Sequence, residues 1–174
     1  MIFLERQNQK VRTFNLSSRS EGCVADDDHG VVFIAEEEVG ILKINTDPAS
    51  KTQPVLVDSI QNGNLIGDLE GITIYQKPQG EGYLIVSSQG DNTYALYNRT
   101  GNHKFLGKFE IIAGEIDGVE HSDGIDVTSF PLGTQYPMGM FIAQDNTNLE
   151  GIDNNSLSNQ NFKMISWKDI SNQF

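Results

Sequence analysis

Glu70-Gly71-Ile72-Thr73-Ile74 is followed, after the turn-forming Pro78-Gln79-Gly80-Glu81-Gly82, by Tyr83-Leu84-Ile85-Val86-Ser87-Ser88-Gln89. An acid and a glycine open one apolar run, and a second run ends in polar, oxygen-bearing side chains. Both runs are short, rich in β-branched and aromatic residues and bounded by turn formers, which predicts a β-hairpin. The phrase occurs twice more. Glu21-Gly22-Cys23-Val24-Ala25 is answered by Val31-Val32-Phe33-Ile34-Ala35-Glu36-Glu37, and Asp123-Gly124-Ile125-Asp126-Val127 by Met140-Phe141-Ile142-Ala143-Gln144-Asp145. The opening acids stand 49 and 53 residues apart. A repeat of about 50 residues filled with short strands predicts propeller blades, whose equivalent positions meet around one axis. The opening acids are therefore expected to converge.

Strands are expected at 11–16, 22–26, 31–36, 40–45, 54–59, 71–76, 82–87, 93–98, 104–111, 124–129, 139–144 and 162–167, with almost no helix. Third strands of the repeats are read in Val39-Gly40-Ile41-Leu42-Lys43-Ile44, Tyr94-Ala95-Leu96-Tyr97 and Phe162-Lys163-Met164-Ile165, and fourth strands at 54–59 and 104–111. The fold class is all-β: a β-propeller of four-stranded antiparallel blades, about three of them, in one unit spanning 1–174. The polar stretch Asn146 to Asn161 is expected to be a long loop. Three blades do not close a ring, and open strand edges invite pairing. The expectation is a portion of a larger propeller, or self-association.

The 174 residues, 37% of them hydrophobic, suffice to bury a core. A net charge of −12 without a basic patch argues against nucleic-acid binding. No apolar run approaches a membrane span. Met1-Ile2-Phe3-Leu4-Glu5-Arg6 does not read as a secretion signal, having no basic leader and no long apolar stretch. Cys23 is the sole cysteine, which excludes an internal disulfide. An acidic protein can still take a phosphorylated small molecule where metal ions bridge the two sets of negative charge. Otherwise the charge serves solubility. No His or Cys cluster points to zinc. The Arg-His-Gly motif of histidine acid phosphatases, the Cys-x5-Arg loop of cysteine phosphatases and the P-loop pattern are all missing.

The ordered phrases carry a family resemblance. Glu21-Gly22-Cys23-Val24-Ala25-Asp26-Asp27, Ile34-Ala35-Glu36-Glu37, Asp68-Leu69-Glu70-Gly71-Ile72-Thr73-Ile74-Tyr75, Ser87-Ser88-Gln89-Gly90, Ser122-Asp123-Gly124-Ile125-Asp126-Val127, Ala143-Gln144-Asp145 and Asn159-Gln160-Asn161-Phe162-Lys163-Met164 span nearly the whole chain. The stretch from Glu21 to Trp167 resembles the C-terminal half of the β-propeller phytases, the alkaline calcium-dependent phytases. The resemblance implies a six-bladed propeller, about half of it here, and release of phosphate from phytate (myo-inositol hexakisphosphate). It implies calcium ions at the top of a central channel that hold substrate phosphates and activate a water. Glu21 and Glu37 resemble the family's catalytic carboxylates. Asp68, Glu70, Gln89, Asp117, Asp123, Asp145 and Asn148 resemble its calcium ligands. Secretion by bacteria is also implied.

The residue types suit that chemistry. Calcium takes six to eight oxygens, which carboxylates and amide carbonyls supply. With a metal-activated water no nucleophilic side chain is required. Each residue also has a plainer reading. Glu36, Glu37 and Glu38 taken alone are a solvated turn, Asp26-Asp27-Asp28 an ordinary turn before Gly30, and His29, His103 and His121 surface residues. Asp68 and Glu70 alternate in a strand and should point the same way. Asp145-Asn146-Thr147-Asn148 lacks the ligand spacing of an EF-hand. None of the 12 Lys and Arg residues lies in a motif matched to phosphate binding. A non-catalytic calcium-binding propeller module remains the alternative, and a metal-dependent lactonase a third reading.

Overall fold

The β-branched and aromatic runs become strands, and the Gly, Asn and Asp clusters become their turns. The computed structural model describes residues 2–4, 10–150, 156–157 and 159–174. A hairpin of β1 (Ile2–Leu4) and β2 (Lys10–Thr13) comes first. The first sheet is a four-stranded antiparallel meander of β3 (Gly22–Asp26), β4 (Val31–Glu36), β5 (Gly40–Asn45) and β6 (Val55–Ser59). The second repeats it with β7 (Leu69–Gln76), β8 (Gly82–Ser88), β9 (Thr93–Asn98) and β10 (Phe105–Phe109). The third contains β11 (Ile125–Thr128) and β12 (Met140–Asp145). A short pair, β13 (Leu149–Glu150) and β14 (Ser156–Leu157), intervenes before β15 (Asn161–Ser166) pairs with β12.

Four expected strands, 22–26, 31–36, 40–45 and 93–98, coincide with β3, β4, β5 and β9. The expectation of four strands in every repeat is corrected: the third sheet has three among the described residues. Past β15 the chain turns into a short helix, α1 (Trp167–Ser171). Trp167 stacks on Tyr75 with ring centroids 4.0 Å apart and leans on Tyr83 at 5.8 Å. Burying the indole against the second sheet takes the chain away from a fourth strand. The expected loop from Asn146 to Asn161 contains the β13–β14 pair, and its residues 151–155 and 158 lie outside the described set. No helix among the described residues is long and apolar enough to cross a membrane.

Alternation along the second sheet fills both of its faces. Ile72, Ile74, Leu84, Val86, Ala95 and Tyr97 pack with Phe33, Ala35 and Ile41 of the first sheet. Tyr75, Ile85, Tyr94, Leu96 and Phe109 pack with Phe141 and Ala143 of the third. A sheet covered on both sides reads as continuous apolar runs, which is why β7, β8 and β9 lack polar alternation. The first strands of successive sheets come to backbone contact. A Cβ on Gly22 would lie 2.2 Å from the Glu70 carbonyl oxygen, and one on Gly71 would lie 2.6 Å from that of Asp123. Gly71 N–H donates to the Asp123 carbonyl at 2.7 Å. Only glycine permits this approach.

Candidate metal centre

The acid ahead of each glycine is carried to these close approaches. Glu21, Glu70 and Asp123 line one cleft of about 350 Å³ with their glycines. Glu37, the residue just past β4, joins them: Glu21, Glu37 and Glu70 each offer a carboxylate oxygen, all within 4.8 Å of one another. The expected convergence of the opening acids is therefore present.

The polar ends of the second strands fix the segments that lead into the first strands. Glu36 Oε1 accepts from Ser17 N–H and Ser18 N–H, at 2.5 and 2.7 Å. Ser88 Oγ accepts from Ile66 N–H at 2.9 Å, and Ser87 Oγ donates to the Ser122 carbonyl at 2.7 Å. Gln144 Oε1 accepts from Asp123 N–H at 2.9 Å, and Asp145 Oδ1 from Glu120 N–H at 3.1 Å. Buried polar atoms have to find partners, and here the partners hold the acidic turns in place. Glu36 is thus a buried anchor and Glu37 is buried too, so the solvated-turn reading survives only for exposed Glu38.

Glu70 is buried, and its Oε2 has no hydrogen-bond partner. Burial, then the like charges of Glu21, Asp123 and Glu37, push its carboxyl up to about 7. Such a group needs a proton or a cation. Oxygen-only donors in a crowded anionic group suit a hard divalent ion, so the residues fit a metal. Arg19, an exposed side chain, approaches Glu37 of this trio at 3.6 Å.

The other expected ligands fall into two places. Gln89 donates through Nε2 to Asp123 Oδ1 at 2.7 Å, which ties it to the same cleft. Asp68 is exposed and precedes β7. Its carbonyl accepts from Gln89 N–H at 2.9 Å. The expected alternation of Asp68 with Glu70 is corrected: a register shift between Leu69 and Ile72 marks a bulge, and the regular alternation does not reach Asp68. Asp117, Asp145 and Asn148 form a second group around buried Lys163. Its Nζ lies 2.5 Å from Asp117 Oδ1, 3.0 Å from Asn148 Oδ1 and 3.3 Å from Asp145 Oδ2.

Sequence reasoning missed Lys163 and also Arg99. The turn expected before Gly30 is present, closed by His29 N–H donating to the Asp26 carbonyl at 3.2 Å, but the Asp26 side chain is more than a turn former: buried Arg99 clamps it through Nη2 at 2.5 Å and Nε at 3.0 Å, with His29 Nδ1 at 3.0 Å. The pairing holds the Asp26 carboxyl below its ordinary value although burial raises it. His103, expected at the surface, is buried edge-on against Phe33 at 5.2 Å, and burial lowers its pKa. The pattern of β15 misled at Lys163: a charge between Phe162 and Met164 reads as an outward side chain, whereas those two apolar residues are exposed and Lys163 is buried. Arg99 carried no signal either way.

A family model described as Phytase matches residues 5–174. A protein named 3-phytase from Bacillus subtilis (strain 168) is 49% identical over 164 residues, covering 94% of this chain and 42% of that protein. The chain thus spans less than half the length of this curated relative.

Proposed function

The chain belongs to the phytase family, and from that premise we propose that it is the calcium-binding portion of a hydrolase that releases phosphate from phytate. The observation that carries this reading is the convergence of Glu21, Glu37 and Glu70, with a buried Glu70 oxygen lacking a partner. The three sheets are taken as consecutive blades of a propeller, with 1–174 as its C-terminal half and the acidic cleft at one end of the channel. The other blades come from a longer chain or from a second copy. The protein works outside the cell.

In this reading Glu21 and Glu37 orient the attacking water and accept its proton, and Glu70 is the shared ligand between them. Gln89 and Asp123 extend the oxygen set along the cleft, and Asp68, exposed just ahead of β7, is a further ligand. Asp117, Asp145 and Asn148 make a further calcium group. When bound, calcium supplies positive charge against the phosphate and lowers the pKa of the water that it polarises. The carboxylates hold that charge at fixed positions, so the developing charge on phosphorus meets a preorganised site.

Among the described residues, no Lys or Arg lines the Glu21–Glu70–Asp123 cleft. That observation favours a second reading for the chain on its own, a non-catalytic calcium-binding module. Phosphate release from phytate, measured with and without calcium on this chain and on Glu37→Ala, tests the first. Calcium-dependent release that the substitution abolishes supports the hydrolase. No release from folded, calcium-loaded protein means that the other blades carry groups the reaction needs, or that the chain is a binding module.

A further inference from the structure

The chain leaves the first sheet at Ser59 and enters the second at Leu69, and the strap between them touches the backbone beside three candidate ligands. Ile60 N–H donates to the Val39 carbonyl at 3.2 Å, two residues past Glu37. Gly67 lies against Glu37 itself: a Cβ there would come within 3.0 Å of the Glu37 carbonyl oxygen. Ser88 Oγ accepts from Ile66 N–H at 2.9 Å and donates to the Ile66 carbonyl at 3.0 Å. Gln89 N–H donates to the Asp68 carbonyl at 2.9 Å, and Glu70 follows two residues later. One segment therefore spaces Glu37, Gln89 and Glu70.

The near end of the strap hangs on Asp58. Oδ1 of this buried carboxylate accepts from Ser59 N–H at 2.8 Å and Asn62 Nδ2 at 2.7 Å. Oδ2 accepts from Asn64 Nδ2 at 3.0 Å and from the Tyr97 hydroxyl at 2.7 Å. A carboxylate offers about four acceptor sites, so this one is saturated. Burial raises its pKa, yet the bonds from Asn62, Tyr97, Asn64 and Ser59 hold it below the ordinary value. The Ser59 and Asn62 bonds would suffice for a local turn. The bond from Tyr97, in β9, ties the strap to the sheet that bears Glu70. Between the two ends, Leu65 is buried in the core shared by the first two sheets.

We propose that Asp58 is a positioning residue for the metal centre: through the 59–68 strap it sets the spacing of Glu37 and Glu70, and with it the calcium affinity of their site. This rests on the reading of the Glu21–Glu37–Glu70 trio as a calcium site. Three carboxylates crowded together repel one another, so without an ion they keep their spacing only as firmly as the backbone behind them holds. Asp58 acts at a distance, through Asn62, Asn64 and Tyr97. Loss of its carboxylate frees the near end of the strap and lets Gly67 shift against the Glu37 carbonyl.

Calorimetric calcium titration of the whole chain, Asp58→Asn and Glu70→Gln tests this, at a temperature where circular dichroism shows each protein fully folded in chelator. Glu70→Gln should remove one class of binding, which identifies the phase that belongs to the trio. Asp58→Asn keeps the shape of the side chain but accepts through one oxygen only. It should weaken that phase by about tenfold, the low end of what losing a ligand-orienting partner costs. A purely structural Asp58 would lower the melting temperature and leave the affinity of the folded protein alone. That result, with the phase lost in Glu70→Gln, overturns the positioning role and leaves the calcium reading standing. Parent-like calcium binding in Glu70→Gln overturns both. If Asp58→Asn does not fold, Tyr97→Phe decides, since it removes only the bond between strap and second sheet. Weaker binding in the trio's phase supports the proposal, and parent-like binding overturns it.

Discussion

Replacing Glu70 by glutamine should stabilise the calcium-free chain, and only above acidic pH. Glu70 is buried among Glu21, Asp123 and Glu37, and its carboxyl is pushed from 4.5 up to about 7. The folded-state value lies above the unfolded one, so folded protein holds the proton more tightly. Stability from this group is fully present below about pH 4.5 and is lost as pH rises toward 7, because the unfolded chain gives up its proton first. At about 1.4 kcal/mol per decade, the gap sets an upper bound of about 3 kcal/mol. Glutamine carries no charge at any pH, and its amide can donate to the neighbouring carboxylates. For a chain of this size, about 3 kcal/mol moves the melting temperature by up to about 6–12 °C. Melting curves of both proteins in chelator, at pH 4 and pH 8, give the answer. The variant should melt higher at pH 8 and within a degree or two of the parent at pH 4. Equal melting at pH 8, or the same gain at both pH values, would refute the electrostatic account of this cluster. Added calcium should reverse the ranking, since the parent alone keeps all three carboxylates.

Two further outcomes follow from the packing. Arg99→Met strands Asp26 as a buried charge and should cost about 3–5 kcal/mol in chemical denaturation; Asp26→Asn on top of it should return much of that loss. Gly22→Ala puts a Cβ 2.2 Å from the Glu70 carbonyl oxygen and forces β3 away from β7. It should lower stability by about 1–3 kcal/mol and calcium affinity by about tenfold or more, measured by denaturation and titration.

The hairpins were legible because their causes are local. Alternation and turn residues mark β3, β4, β5 and β9, and the repeat period brings Glu21, Glu70 and Asp123 together before any contact is known. Other features depend on what the chain meets later. Asp26 and Arg99 are far apart in sequence, and nothing near Asp26 announces a buried guanidinium. Trp167 continues an apolar strand pattern, yet its stacking on Tyr75 turns the chain into a helix. Asp68 fits an alternating strand until the bulge at Glu70 and Gly71 breaks the period. Lys163 shows in the sequence only as a charge between two apolar residues, and its meaning comes from the carboxylates of other segments.

The seam between the first two sheets has a thermodynamic consequence. Glu21 and Glu37 belong to one sheet and Glu70 to the next, and the strands bearing Glu21 and Glu70 touch through their backbones. Neither sheet alone presents the trio. An ion bound there stabilises only molecules in which both sheets have folded and docked. Its binding energy is felt as cooperativity between repeats, and it penalises any partly folded form with a single sheet intact. Calcium should therefore sharpen the unfolding transition as well as raise its midpoint.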